Sequence, residues 1–163
     1  MYISNMNKRI EISIGLDGKQ TTGKVCCTKN VLEWLKRESA NIAKGSEVLD
    51  YVALESRDAQ LLGEWVHDAG MSLVSALNRY VVSYHINNSG VEMTLTMPGQ
   101  AKRDVAQSIA ESGGEFIGLM LLTKWLTIVA PDKAEVYAAR ASEELAKITT
   151  IADERRRPVK YEL

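Results

Sequence analysis

The chain has 163 residues, 45% of them apolar and 25% charged, and 20 basic against 21 acidic side chains leave a net charge of −1 at pH 7. That length holds one compact domain with a sizeable core and is short for two, and the composition excludes global disorder. Ten basic and ten acidic residues fall up to Tyr80 and ten and eleven after it, so charge balance predicts no general affinity for nucleic acid or an anionic membrane.

The opening stretch "MYISNMNKRIEISIG" alternates polar and apolar residues and lacks the apolar block of a secretory signal, so export by that route is not expected. Within it Ile10, Ile12 and Ile14 share one face and Arg9, Glu11 and Ser13 the other, the two-residue period of a half-buried strand. Asp17-Gly18 is a turn signal, and "KVCC" reads as a partner strand, which makes residues 1–28 a β-hairpin arm with a long loop. Cys26 and Cys27 are adjacent and are the only cysteines. They suit neither a disulfide framework nor a zinc site, and a reducing compartment, the cytoplasm, is the expectation.

"NVLEWLKRESANIAKG" predicts a helix capped by Asn30 with Glu33 three residues on, an apolar stripe of Val31, Leu35 and Ile42 flanked by Leu32 and Trp34, and a stop at Lys44-Gly45. "SEVLDYVALE" reads equally as extended chain or a helical turn. From Ser56, Leu61, Leu62, Trp65, Ala69, Leu73, Ala76, Leu77 and Tyr80 recur at helical spacing over about six turns. "VVSYHI" and "VEMTLTM", separated by "NNSG", then predict a hairpin over 81–97 with a four-residue loop.

From about Gln100 a long apolar helix follows. Val105, Ile109, Phe116, Leu119, Met120 and Leu126 lie on one side, and Ala106, Ala110, Ile117, Leu121 and Ile128 widen the face. Its most apolar run, Phe116 to Ala130, is interrupted by Lys124 and is shorter than the roughly 20 residues that cross a bilayer, so it reads as a central core helix. Gly113, Gly114 and Gly118 each cost about 1 kcal/mol against alanine in a helix; either a neighbour packs close there or the helix breaks near 112–114. Pro131 suits the first turn of a last helix, buried along Tyr137, Ala141, Leu145, Ile148 and Ala152 and closed by Pro158. The expected fold is thus a single, mainly α domain over 1–163. A bundle of about four helices over 29–158 would carry an N-terminal and a central β-hairpin.

One stretch spells a chemical motif. "GKQTTGKV" places Gly18, Gly23 and Lys24 at the spacing of a phosphate-binding loop. Val25 stands where the Mg²⁺-binding hydroxyl belongs, no apolar strand ending in Asp follows, and "KVCCT" favours a strand where the helix should start. The stretch therefore reads as a hairpin loop, with a small nucleotide-binding enzyme built on a degenerate loop at 18–24 as the alternative. His67 and His85, the only histidines, lack metal or triad spacing and read as surface residues. The Cys26-Cys27 pair reads as buried small side chains, and Glu111 with Glu115 as a solvated face. Arg155, Arg156, Arg157 and Lys160 suit a last helical turn, with contact to nucleic acid or an acidic surface as the other reading.

The order of an acid-flanked helix ("SRDAQLLGEWVHDAGMSLVSALNRY"), a hairpin, a long apolar helix ("VAQSIAESGGEFIGLMLLTKWLTIVAP") and a final helix ending in "RRRP" resembles the small head–tail connector and neck proteins of tailed bacteriophages and prophages. The similarity covers roughly residues 56–158 and is one of element order; the first 55 residues match no such pattern. It implies a non-enzymatic virion structural protein that forms a homo-oligomeric ring and joins portal or tail proteins. It would have no catalytic residues, cofactor or metal, and would be cytoplasmic before assembly and in the virion after it. The two β-ribbons would reach neighbouring subunits. Lys19, Lys24, Arg155, Arg156 and Arg157 are the expected contact residues, and a helical adaptor touching nucleic acid through the arginines is a further alternative.

Overall fold

A computed structural model describes residues 8–44, 59–97 and 103–154. Along them run β1 (Lys8–Gly15), β2 (Val25–Cys26), α1 (Val31–Lys44), α2 (Ala59–Ala76), β3 (Val81–Asn87), β4 (Gly90–Met97), α3 (Arg103–Val129) and α4 (Pro131–Glu154). The fold is mainly α, and each helix predicted from apolar spacing is present. Asn30 caps α1, its Oδ1 accepting from the Glu33 amide at 3.0 Å, and Pro131 opens α4.

The strands depart from the expected pair of hairpins. All four join one sheet in the order β2-β1-β4-β3. β4 pairs antiparallel with β1 over its full length, from Lys8 opposite Met97 to Gly15 opposite Gly90. β2 runs parallel to β1, Val25 opposite Ile12 and Cys26 opposite Ser13, so the N-terminal segment is not a hairpin arm. Two tight turns reverse the connection between them: the Gly18 amide donates to the Gly15 carbonyl at 3.2 Å and the Lys24 amide to the Thr21 carbonyl at 3.3 Å. They carry the chain back beside β1 before it pairs. A short hairpin loop would have forced antiparallel pairing; a connection this long leaves strand direction open.

The central hairpin is present, with a tighter loop than "NNSG" suggests. Asn87 still pairs with Gly90, so only Asn88 and Ser89 form the turn, held by Asn87 Oδ1 accepting from the Ser89 amide at 2.8 Å. Its tip is not a free ribbon: a Cβ at Gly63 of α2 would lie 2.5 Å from Asn88 Oδ1. A bulge between Val81 and Ser83 breaks the alternation of β3, leaving Val82 and Tyr84 51% and 49% exposed.

Ile12, Ile14, Val91, Met93 and Leu95 make the buried face of the sheet, and α2 and α3 cover it. α3 is the centre of the molecule, touching α1, α2, α4, β1 and β2, and it runs unbroken through 112–114. The glycines are places of close approach. A Cβ at Gly113 would lie 2.5 Å from Ile14 Cδ1, one at Gly114 would overlap Cys27 Sγ, and one at Gly118 would lie 3.0 Å from the Trp34 ring. α4 packs along α3 through Ala134, Ala141, Ile148 and Ala152, and Tyr80 Oη donates to Asp153 Oδ1 at 2.6 Å. Two residues expected on buried faces are exposed, Leu61 at 38% and Ile128 at 65%. Both lie in terminal turns, Leu61 at the start of α2 and Ile128 at the end of α3.

Gly114→Ala should destabilise the protein by about 1–3 kcal/mol in urea unfolding, although alanine is the better helix former by about 1 kcal/mol. Adding Cys27→Ala should recover much of that loss, since the two positions collide directly. A single substitution that stabilises would show that the approach is looser than described.

Candidate functional site

The loop that spells a phosphate-binding motif has the glycine geometry of a turn-rich connection. Gly18 and Gly23 adopt φ of +73° and +83°, conformations that favour glycine. Several donors that a phosphate would need are already engaged. The Lys19 amide donates to Asp17 Oδ1 at 3.0 Å, the Thr21 amide to Cys26 Sγ at 3.2 Å, and the Lys24 amide closes its own turn. Lys24 Nζ crosses to the outer sheet face and meets Glu92 Oε1 at 3.1 Å. The following helix begins at Val31, well past the lysine, whereas a phosphate cradle needs its N-terminus at the lysine. Lys24 is thus paired within the chain, while Lys19 is largely exposed beside Asp17. Arg155, Arg156 and Arg157 lie outside the described residues, as does the segment 46–55.

A second polar cluster joins residues far apart in sequence. Glu111, expected to be solvated, is half-buried and gathers three donors on Oε1: the Thr28 amide and hydroxyl, each at 2.8 Å, and Gln107 Nε2 at 2.9 Å. Gln107 Nε2 also donates to the Cys26 carbonyl at 2.8 Å. Lys29 Nζ pairs with Glu115 Oε2 and lies 4.2 Å from the centroid of the Trp34 ring. Two carboxylates one turn apart on α3 therefore grip the link between β2 and α1 on either side of the Gly113–Gly114 contact. The i, i+4 spacing was the visible signal; Thr28, Gln107 and Trp34 carried none, because their roles depend on the fold.

Cys26 and Cys27 are buried, as expected. Burial, with the Glu111 charge and hydrogen bond adding to it and a backbone hydrogen bond at Lys29 and the Lys29 ammonium opposing, raises the Cys27 thiol from its usual 9 to about 11. At neutral pH it is a protonated packing group, not the thiolate that reacts. His67 and His85 are exposed on α2 and β3. A shallow cleft of about 190 Å³ on the outer sheet face is lined by Glu11, Lys24, Ser83, His85, Glu92 and Thr94, below the roughly 300–1,000 Å³ usual for small-molecule sites.

Apart from Leu61 at the start of α2, the exposed large apolar side chains among the described residues fall in two places. Val82 and Tyr84 lie on β3 at the sheet edge, and Ile128 and Val136 flank the turn between α3 and α4. Beside Val136 an open groove of about 500 Å³ runs past Asn41, Ile42, Asp132 and Tyr137. Among the described residues no group of three or more His, Cys, Asp or Glu is placed to hold a metal, and no helix is long and apolar enough to cross a membrane. Comparison with protein-family models, with curated proteins and with solved structures gave no match.

Two measurements probe the seam on α3. Glu111→Ala should cost about 1–3 kcal/mol, since it removes the charged acceptor that Thr28 and Gln107 share; a loss below ~0.5 kcal/mol would mean that water replaces the carboxylate. Cys27, whose folded pKa is raised, contributes stability that is intact below pH 9 and is lost as pH rises through about 11. The wild-type protein should therefore lose roughly 2–3 kcal/mol more than Cys27→Ala across that window. Parallel pH profiles would contradict the assignment.

Proposed function

We propose that this chain is a non-enzymatic structural or assembly protein of the head–tail connector kind found in tailed phages and prophages, acting through contacts with its own copies and with portal or tail proteins. The observation that carries this reading is the presence of two separate exposed apolar sites on one subunit, Val82–Tyr84 at the sheet edge and Ile128–Val136 at the helical turn. Assemblies that grow beyond a pair need more than one contact surface per subunit. The order α2, β3, β4, α3, α4 agrees with the element order on which the resemblance rests.

Supporting it further, the side chains that suggested chemistry have structural employment. Lys24 is paired with Glu92, Glu111 and Glu115 hold the β2–α1 link, and the Cys27 thiol is buried and protonated. Under this reading the protein is cytoplasmic before assembly and part of the virion after it, and the exposed Lys19 is available for polar contacts.

Light scattering across a wide concentration range, with negative-stain imaging, tests the proposal. Masses at multiples of 18.1 kDa, with rings or other discrete particles at high concentration, are expected. A particle that stays at the single-chain mass throughout would overturn it. Tight, Mg²⁺-dependent nucleotide binding abolished by Lys24→Ala would favour an enzyme instead, and steeply salt-dependent DNA binding lost on neutralising Arg155–Arg157 would favour a nucleic-acid adaptor.

A further inference from the structure

β3 is the long open edge of the sheet. It pairs with β4 on one side, and among the described residues no strand lies on its other side; the opposite edge, β2, is two residues long. The Thr96 amide donates to the Tyr80 carbonyl at 2.7 Å, and along an antiparallel strand the residues that bond a given neighbour alternate. Ser83, His85 and Asn87, opposite Thr94, Glu92 and Gly90, therefore turn their backbone groups toward β4. The N–H and C=O of Tyr84 and Ile86 point away from the sheet. The other side of β4 agrees, since the Leu16 amide donates to the Ser89 carbonyl at 2.8 Å and the odd-numbered residues of β4 face β1.

Open edges are usually blunted by charge, proline or brevity. β3 has seven residues, VVSYHIN, with neither proline nor a permanently charged side chain. Its bulge lies at its start, which leaves Ser83–Asn87 regular, with Val82 and Tyr84 exposed beside the free backbone groups.

We propose that a second copy of this chain covers this edge, β3 pairing antiparallel with β3 about a two-fold axis at Tyr84. In that register Tyr84 of each copy exchanges both outward backbone hydrogen bonds, Ser83 faces the partner's His85, and Val82 faces the partner's Ile86. No like charges meet. Opposed residues belong to the same face of the sheet, so the two sheets join into one with the helices of both copies on one side. A slip by one residue would set inward side chains against outward ones. The inference rests on the reading of the chain as an assembly protein. A two-fold contact closes on itself, so any larger particle grows through a different surface, that of Ile128 and Val136.

Two edge variants and a cross-linking pair test this. Tyr84→Pro removes an N–H that points away from β4 and leaves the internal ladder intact, the setting in which an edge strand accepts proline; Val82→Lys places a charge on the edge. In sedimentation equilibrium the wild type should dimerise, and each variant should weaken dimerisation at least tenfold while keeping the wild-type circular dichroism spectrum. In a mixture of Ser83→Cys and His85→Cys proteins, disulfides should form between unlike subunits in preference to like ones; the buried Cys26 and Cys27 do not compete. If Tyr84→Pro does not fold, Val82→Lys and the cross-linking pair decide. Self-association that both the edge charge and the cross-link pattern leave unaffected would overturn the β3 contact while the assembly reading stands. A wild type that remains at 18.1 kDa at every concentration would overturn both.

Discussion

The close approach of α3 to the elements around it is the constraint on which the rest of the structure depends. Gly113 admits Ile14 of β1, Gly114 admits Cys27 just after β2, and Gly118 admits the Trp34 ring of α1. Three glycines in a helix interior cost about 1 kcal/mol each in propensity. The contact they allow brings Ile14, Cys27 and Val31, all almost fully buried, against one helix surface, and each large apolar side chain so buried contributes roughly 1.5–3 kcal/mol. Packing outweighs propensity, which is why α3 stays continuous through a sequence that would break an isolated helix.

The polar groups of the seam follow from the same approach. Once Cys27 lies against Gly114, the chain at Thr28 and Lys29 is brought over the turns of α3 that carry Glu111 and Glu115, and its donors meet the two carboxylates. Glu111 takes the Thr28 amide and hydroxyl, and Glu115 takes the Lys29 ammonium. With residues 27–29 fixed there, β2 has room for two residues beside β1 and must arrive from the side that makes it parallel. The loop with Gly18, Gly23 and Lys24 then serves as the return path, latched over the outer sheet face by Lys24 and Glu92. Partly exposed as it is, that latch contributes no more than about 1 kcal/mol.

What the sequence disclosed was periodicity, and what it withheld was long-range pairing. Spacing of three and four located α1, α2, α3 and α4, and Asn30 and Pro131 fell where capping chemistry places them. Strand character in Lys8–Gly15 and Gly90–Met97 was equally plain, but nothing local says that these two strands pair with each other across the 74 residues between them. The bulge at Val82 broke an alternation that looked regular, because among the described residues β3 has one neighbour, β4, to keep it in register. At the candidate sites, the glycines of α3 were visible as an anomaly with two explanations. Glu111 looked solvated because its partners, Thr28 and Gln107, are brought to it only by the folded chain.

Native-state hydrogen exchange reads the central constraint most directly. If the α3 seam holds the sheet and α1 to the helices, the amides of Ile12, Ile14, Cys27 and Thr28 should exchange only through global unfolding, with the same free energy as those of Phe116 and Leu119. Exchange of the β1 and Thr28 amides at a free energy several kcal/mol lower, while α3 and α4 stay protected, would show a helical pair that is stable without the sheet and would contradict this account.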